Sequence, residues 1–90
     1  MPAVVSPALA AAERDLLVLL HADARLSSIR SNVEYPHEEG EEMGLGVWVN
    51  IDGDAEMANQ VSDDLYDHAA EVERRHGLRS HTIGIVVLWV

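Results

Sequence analysis

Between Leu45 and Val90 the apolar period changes twice, from two residues to about 3.6 and back to two, which prescribes a strand, a long helix and a second strand. Leu45, Val47, Val49 and Ile51 alternate with Gly46, Trp48 and Asn50, the pattern of a half-buried strand. Asp52-Gly53-Asp54 breaks the extended run and supplies a helix N-cap. From Ala55 to His76 the residues Met57, Ala58, Val61, Leu65, Ala69 and Val72 recur at three- and four-residue steps. Glu56, Gln60, Asp63, Asp67, Glu71 and Arg74 take the wet side. Acids near the start and Arg74, Arg75 and His76 at the end complement the helix dipole. Gly77 permits a left-handed residue just past the helix, and Leu78 closes a hydrophobic contact behind it. Both ends of this helix are written in the sequence.

The N-terminal half adds three elements in outline. Ser6-Pro7 reads as an N-cap with proline at the first helical position, followed by a helix from Ala8 to Ala22. Its buried side is read as Leu9, Ala12, Leu16, Leu19 and Leu20. The run Leu16–Leu20 is apolar all round, so a buried strand is the rival reading. Arg25 to Tyr35 alternates as a strand, with Ile29, Ser31, Val33 and Tyr35 on one face and Leu26, Ser28, Arg30, Asn32 and Glu34 on the other. Pro36 ends it, and the acidic loop to Glu42 is short enough to make an antiparallel hairpin with the strand at Leu45–Ile51.

The expected fold is therefore α+β in the order helix–strand–strand–helix–strand. Two helices lie on one face of a three-stranded sheet, mixed or antiparallel. Residues 1–6 are read as a flexible N-terminal tail, and 7–90 as one domain, since a chain of 90 residues has room for a single core. The crossover through the long helix should return the last strand parallel to the second. Which strand it lies beside is left open.

The last strand, Thr82 to Val90, is apolar on both faces. Ile83, Ile85, Val87 and Trp89 share the face assigned to the helices, while Val86, Leu88 and Val90 share the other with Trp48 of the neighbouring hairpin. Burying one such side chain contributes about 1.5–3 kcal/mol, against a total stability of about 5–15 kcal/mol, so leaving several wet is costly. Trp48, Val86, Leu88 and Val90 are thus the candidate interface, with a homodimer or higher homo-oligomer as the simplest partner and another protein as the alternative. Coverage of this face by the N-terminal tail or the acidic loop is the competing structural reading.

Composition narrows the function classes. The net charge of −10, with six arginines and no lysine, repels nucleic-acid phosphate and anionic membranes. Lysine-based Schiff-base chemistry and the P-loop lysine are excluded. The absence of cysteine excludes a disulfide framework, a thiolate metal site and a Cys nucleophile, and fits a reducing compartment; the expected location is cytoplasmic. No stretch approaches the ~20 apolar residues of a membrane span, and no secretory signal is read at the N-terminus.

Motifs for chemistry are thin. The histidines His21, His37, His68, His76 and His81 do not form a zinc-type pair. His37, Glu38 and Glu39, with Glu41 and Glu42 nearby, are the one cluster with metal-ligand character. Asp52, Asp54 and Glu56 are spaced like the start of a calcium loop, but Met57 stands where such a loop needs glycine, so these acids are read as helix-capping. Pro2 would suit a tautomerase base only at the head of a sheet strand, which Pro7 prevents. No serine sits on a glycine-flanked elbow, and Gly44-Leu45-Gly46 lacks the third glycine of a phosphate loop. No cofactor is implied.

The stretch Gly46 to Val90 is similar in outline to parts of several unrelated small modules. These are the ring-building domains of secretion machines, alkaline-shock-type envelope proteins and the cytosolic domain of cation-diffusion transporters. The likeness is one of topology, without diagnostic residues, and implies self-association. The expected function is a non-enzymatic assembly or interaction module. The alternatives are a metal- or ligand-sensing domain using the His37–Glu42 loop, and a small enzyme whose site forms at an oligomer interface.

Overall fold

The computed structural model describes residues 7–34 and 43–89. Its elements are α1 (Pro7–His21), β1 (Leu26–Glu34), β2 (Gly44–Ile51), α2 (Ala55–Arg75) and β3 (Ile83–Trp89). The sheet order is β1-β2-β3, with β1 antiparallel and β3 parallel to β2. The α+β fold with a mixed three-stranded sheet follows, and the last strand takes its place beside β2. The N-terminal tail, Ser6, Tyr35, the acidic loop with His37, Glu38 and Glu39, and Val90 lie outside the described residues.

One core holds the layers together. Leu9, Ala12, Leu16 and Leu20 of α1 meet Ala58, Val61, Leu65, Ala69 and Val72 of α2 over Leu45, Val47, Val49 and Ile51 of β2 and Ile83 and Ile85 of β3. Both helices thus cover the same sheet face. Residues 16–20 are helical, which settles the rival strand reading. Five consecutive apolar residues, Leu16 to Leu20, cannot all face inward on a period of 3.6, so Leu19 lies at the margin and Val18 is 70% exposed. Leu19 was expected in the buried set, and the rotation of the helix takes it out.

α2 is capped at both ends as its residues direct. The Asp54 side chain accepts from the Met57 N–H at 2.9 Å, satisfying one of the orphan donors of the first turn. At the other end Gly77 has φ 68, the Leu78 N–H donates to the Glu73 carbonyl at 2.8 Å, and the Gly77 N–H donates to that of Arg74. This is the Schellman arrangement, with Leu78 packed against the core. Met57, expected in the buried stripe, is exposed instead: it lies in the first turn and folds over Gly53. β3 begins at Ile83 and not at Thr82, because His81 takes φ 67, a left-handed conformation no strand tolerates.

One reading of side-chain direction changes, and one of burial. Leu26 was assigned to the face of Ser28 and Arg30, yet it pairs with Ile51 and packs against the core. A register irregularity between Leu26 and Ser28 inserts Ser27 as an extra residue and reverses the alternation. Trp89 was assigned to the core with Ile83, Ile85 and Val87. It lies on that face, opposite Ile51, but is 50% exposed. β3 is an edge strand, and α2 buries nothing before Ala58, so coverage fails toward the C-terminal end.

Candidate interaction face

The sheet face away from the helices is built from outward positions of all three strands. Register places Arg30, Trp48 and Val86 in one row across the sheet, and Ser28, Asn50 and Leu88 in the next. Gly46 and Gly84, also register partners, add no side chain. The face divides by polarity. On the β1 side the Asn50 Nδ2 donates to the Ser28 Oγ at 2.6 Å, and the Arg30 guanidinium stands 5.1 Å from the centre of the Trp48 ring. On the β3 side Val86 and Leu88 are 43% and 45% exposed.

The expected interface residues Trp48, Val86 and Leu88 therefore share one face, with Trp48 directly opposite Val86. Trp48 is half-buried, and its ring carries Arg30 as a partner that the sequence reading had placed on the face without pairing. The two rows around Trp48, Val86 and Leu88 hold no carboxylate; the acid of this alternation, Glu34, stands at the register position of Gly44, at the far end of β1. Arg30 is the one charged group of those two rows.

The free edge of β3 is a second feature: the terminal strand, which the sequence already offers as an edge for pairing with another chain, borders the sheet. Alternate residues of an edge strand turn their backbone groups away from the sheet. At Ile83 the outward N–H donates to the buried Glu73 Oε2 at 2.9 Å. At Ile85 both groups are taken by one hydroxyl: Tyr66 Oη donates to the carbonyl at 3.0 Å and accepts from the N–H at 3.3 Å. Glu73 and Tyr66 stand seven residues apart on the same side of α2, two turns of helix. One step further back stands Asn59, exposed and short. Beyond Ile85 no bond to the outer edge is made among the described residues. A carboxylate and a phenol seven apart on a helix otherwise read as wet-side residues, so the signal is visible only once β3 lies beside them.

Polar side chains elsewhere serve the layers. Ser31 Oγ donates to Glu13 Oε2 at 3.0 Å, joining β1 to α1, and His76 Nε2 lies 2.6 Å from Asp15 Oδ2, joining the two helices. Arg25 grips Asp23 at 2.7 Å and Asp64 of α2 at 2.9 Å. The Asp23 carboxyl is held below the usual carboxylate range, chiefly by hydrogen bonds from the Arg25 side chain, with burial opposing and the Arg25 backbone N–H and nearby positive charge assisting. A shallow hollow beside Ser27 is lined by Leu20, His21, Asp23 and Leu26, but its carboxylate is already committed to Arg25. No group of three His, Asp or Glu among the described residues is placed to hold a metal. No described helix is long and apolar enough to cross a membrane.

No protein-family model and no curated protein sequence matches this chain.

Proposed function

We propose that this protein is a non-enzymatic assembly module that self-associates through the open face of its sheet. The observation that supports the reading is the juxtaposition of Trp48, Val86 and Leu88 opposite both helices, with Val86 and Leu88 nearly half exposed. An apolar cluster on a small acidic chain is costly unless another surface covers it. Copies of a chain with net charge −10 repel one another over their acidic surfaces, so they meet best where carboxylates are absent. The two rows that hold Trp48, Val86 and Leu88, with Arg30, Ser28 and Asn50, meet that condition. A cytoplasmic setting accords with the absence of cysteine.

Light scattering after size exclusion tests the reading. The expected species at tens of micromolar is a dimer or higher homo-oligomer, and Trp48→Glu and Leu88→Glu each return it to the monomer without unfolding it. A clean monomer for the unaltered chain would sink the proposal.

A further inference from the structure

Two strands border the sheet, and they differ in how well they are protected. β1 carries the Ser27 bulge together with the polar run Ser27, Ser28, Arg30, Ser31 and Asn32, devices that discourage a new strand from pairing. β3 has no charge and no proline, and its register with β2 runs unbroken from Ile83 to Trp89. Its outer backbone groups are closed at Ile83 by Glu73 and at Ile85 by Tyr66. Those of Val87 and Trp89 have no partner among the described residues. The open stretch coincides with the exposed Val86, Leu88 and Trp89.

We infer that β3 pairs edge to edge with β3 of a second copy, antiparallel, about a two-fold axis at Leu88. The inference rests on the proposal that the chain self-associates, and adds to the open face a second contact, the edge of β3, with its register. Antiparallel strands exchange hydrogen bonds between residues whose backbone groups both point outward. Here those are Val87 and Trp89, so the register that uses both sets Val87 opposite Trp89 of the other copy. That register repeats itself under the two-fold, and places Leu88 opposite its own symmetry mate as a non-hydrogen-bonded pair. Pairing stops short of Ile85, where the Tyr66 hydroxyl already occupies the edge. Any extended segment offers the matching backbone groups, and a second copy is the occupant because the chain is proposed to self-associate and its own β3 carries no charge. It also brings an uncharged stretch against an uncharged stretch in a chain of net charge −10. Trp89, poorly covered by α2, gains Val87 of the other copy as a neighbour on the helix side.

The absence of cysteine makes the register directly testable. A non-hydrogen-bonded pair holds its Cα atoms about 4.5 Å apart, within disulfide reach. Leu88→Cys should therefore form a disulfide-linked dimer under mild oxidation. Val87→Pro removes one outward N–H while leaving the β2 ladder intact, so L88C combined with V87P should lose the cross-link at least tenfold. Amide exchange at Val87 and Trp89 should slow as protein concentration rises, while Val86 and Leu88, bonded to β2, stay protected throughout. That measurement carries the test if the proline variant does not fold. A chain that associates without cross-linking through L88C, or whose cross-link ignores V87P, overturns edge pairing and leaves the face reading standing. Exchange at Val87 and Trp89 that ignores concentration does the same. Dissociation by V87P but not by Trp48→Glu retains edge pairing and overturns the face, since Trp48 lies on the central strand. A monomer at every concentration overturns both.

Discussion

The two faces of this sheet are made by the same three strands, yet one is finished and the other is not. On the helix side every β2 residue from Leu45 to Ile51 that points inward is 1% exposed or less. On the far side Val86 and Leu88, from the same strand as the buried Ile83 and Ile85, stay nearly half in water. Strand alternation gives both faces apolar side chains; helices are available for only one. The contrast recurs along the outer edge of β3, closed by Glu73 and Tyr66 in its first half and open in its second. Apolar composition therefore does not by itself make core. Coverage does, and coverage here runs out in two directions from the same corner of the molecule.

The largest effect should separate the two faces. Leu65→Ala, in the middle of the covered side, should cost about 2–5 kcal/mol in denaturant unfolding because it leaves a cavity. Leu88→Ala, measured at a dilution where the chain is monomeric, should stay within about 0.5 kcal/mol. If the two cost the same, the open face is filled from within the chain and the contrast collapses.

Closing of the edge comes next. Glu73→Ala strands the buried Ile83 N–H and should cost about 1–3 kcal/mol, with Glu73→Gln restoring most of it through its carbonyl oxygen. Tyr66→Phe should cost less, about 0.5–1.5 kcal/mol, and speed amide exchange at Ile85 specifically. Unchanged exchange there would mean that the hydroxyl does not protect the edge, and the two halves of β3 would no longer differ.

The smallest effect concerns the helix-side layer alone. The carboxyl of Asp23 ionises more easily in the folded chain than in the unfolded one. Its contribution is therefore fully present above the unfolded value of about 3.9 and is lost as pH falls through the lower folded value. Urea midpoints of the unaltered chain and of Asp23→Asn should differ near neutrality and converge in acid. A gap that widens toward acid would show that the sign is wrong. Leu88→Ala should show no such pH-dependent gap, since the residues in its row of the sheet, Ser28 and Asn50, do not titrate.

The long helix was legible in the sequence because its signals are local. Asp54, the apolar stripe and Gly77 act within one or two turns, and each does what its chemistry requires. The inward residues of β2 were legible for the same reason, since a period of two names a face without naming its neighbour. Candidate residues Trp48, Val86 and Leu88 could be placed on one face from alternation alone. Their adjacency could not, because it depends on β3 lying beside β2 in a particular register.

What the sequence determined by itself is the order of elements, the caps of α2 and the apolar excess of the last strand, all consequences of interactions between near neighbours. Only the tertiary structure decided where that excess goes. The bulge at Ser27 turned Leu26 inward, the rotation of α1 turned Leu19 toward its margin and Val18 out, and the thin start of α2 left Trp89 uncovered. It also brought Glu73 and Tyr66 against an edge that lies 10 and 19 residues away along the chain. Such contacts depend on how whole elements are positioned, and no local pattern encodes that.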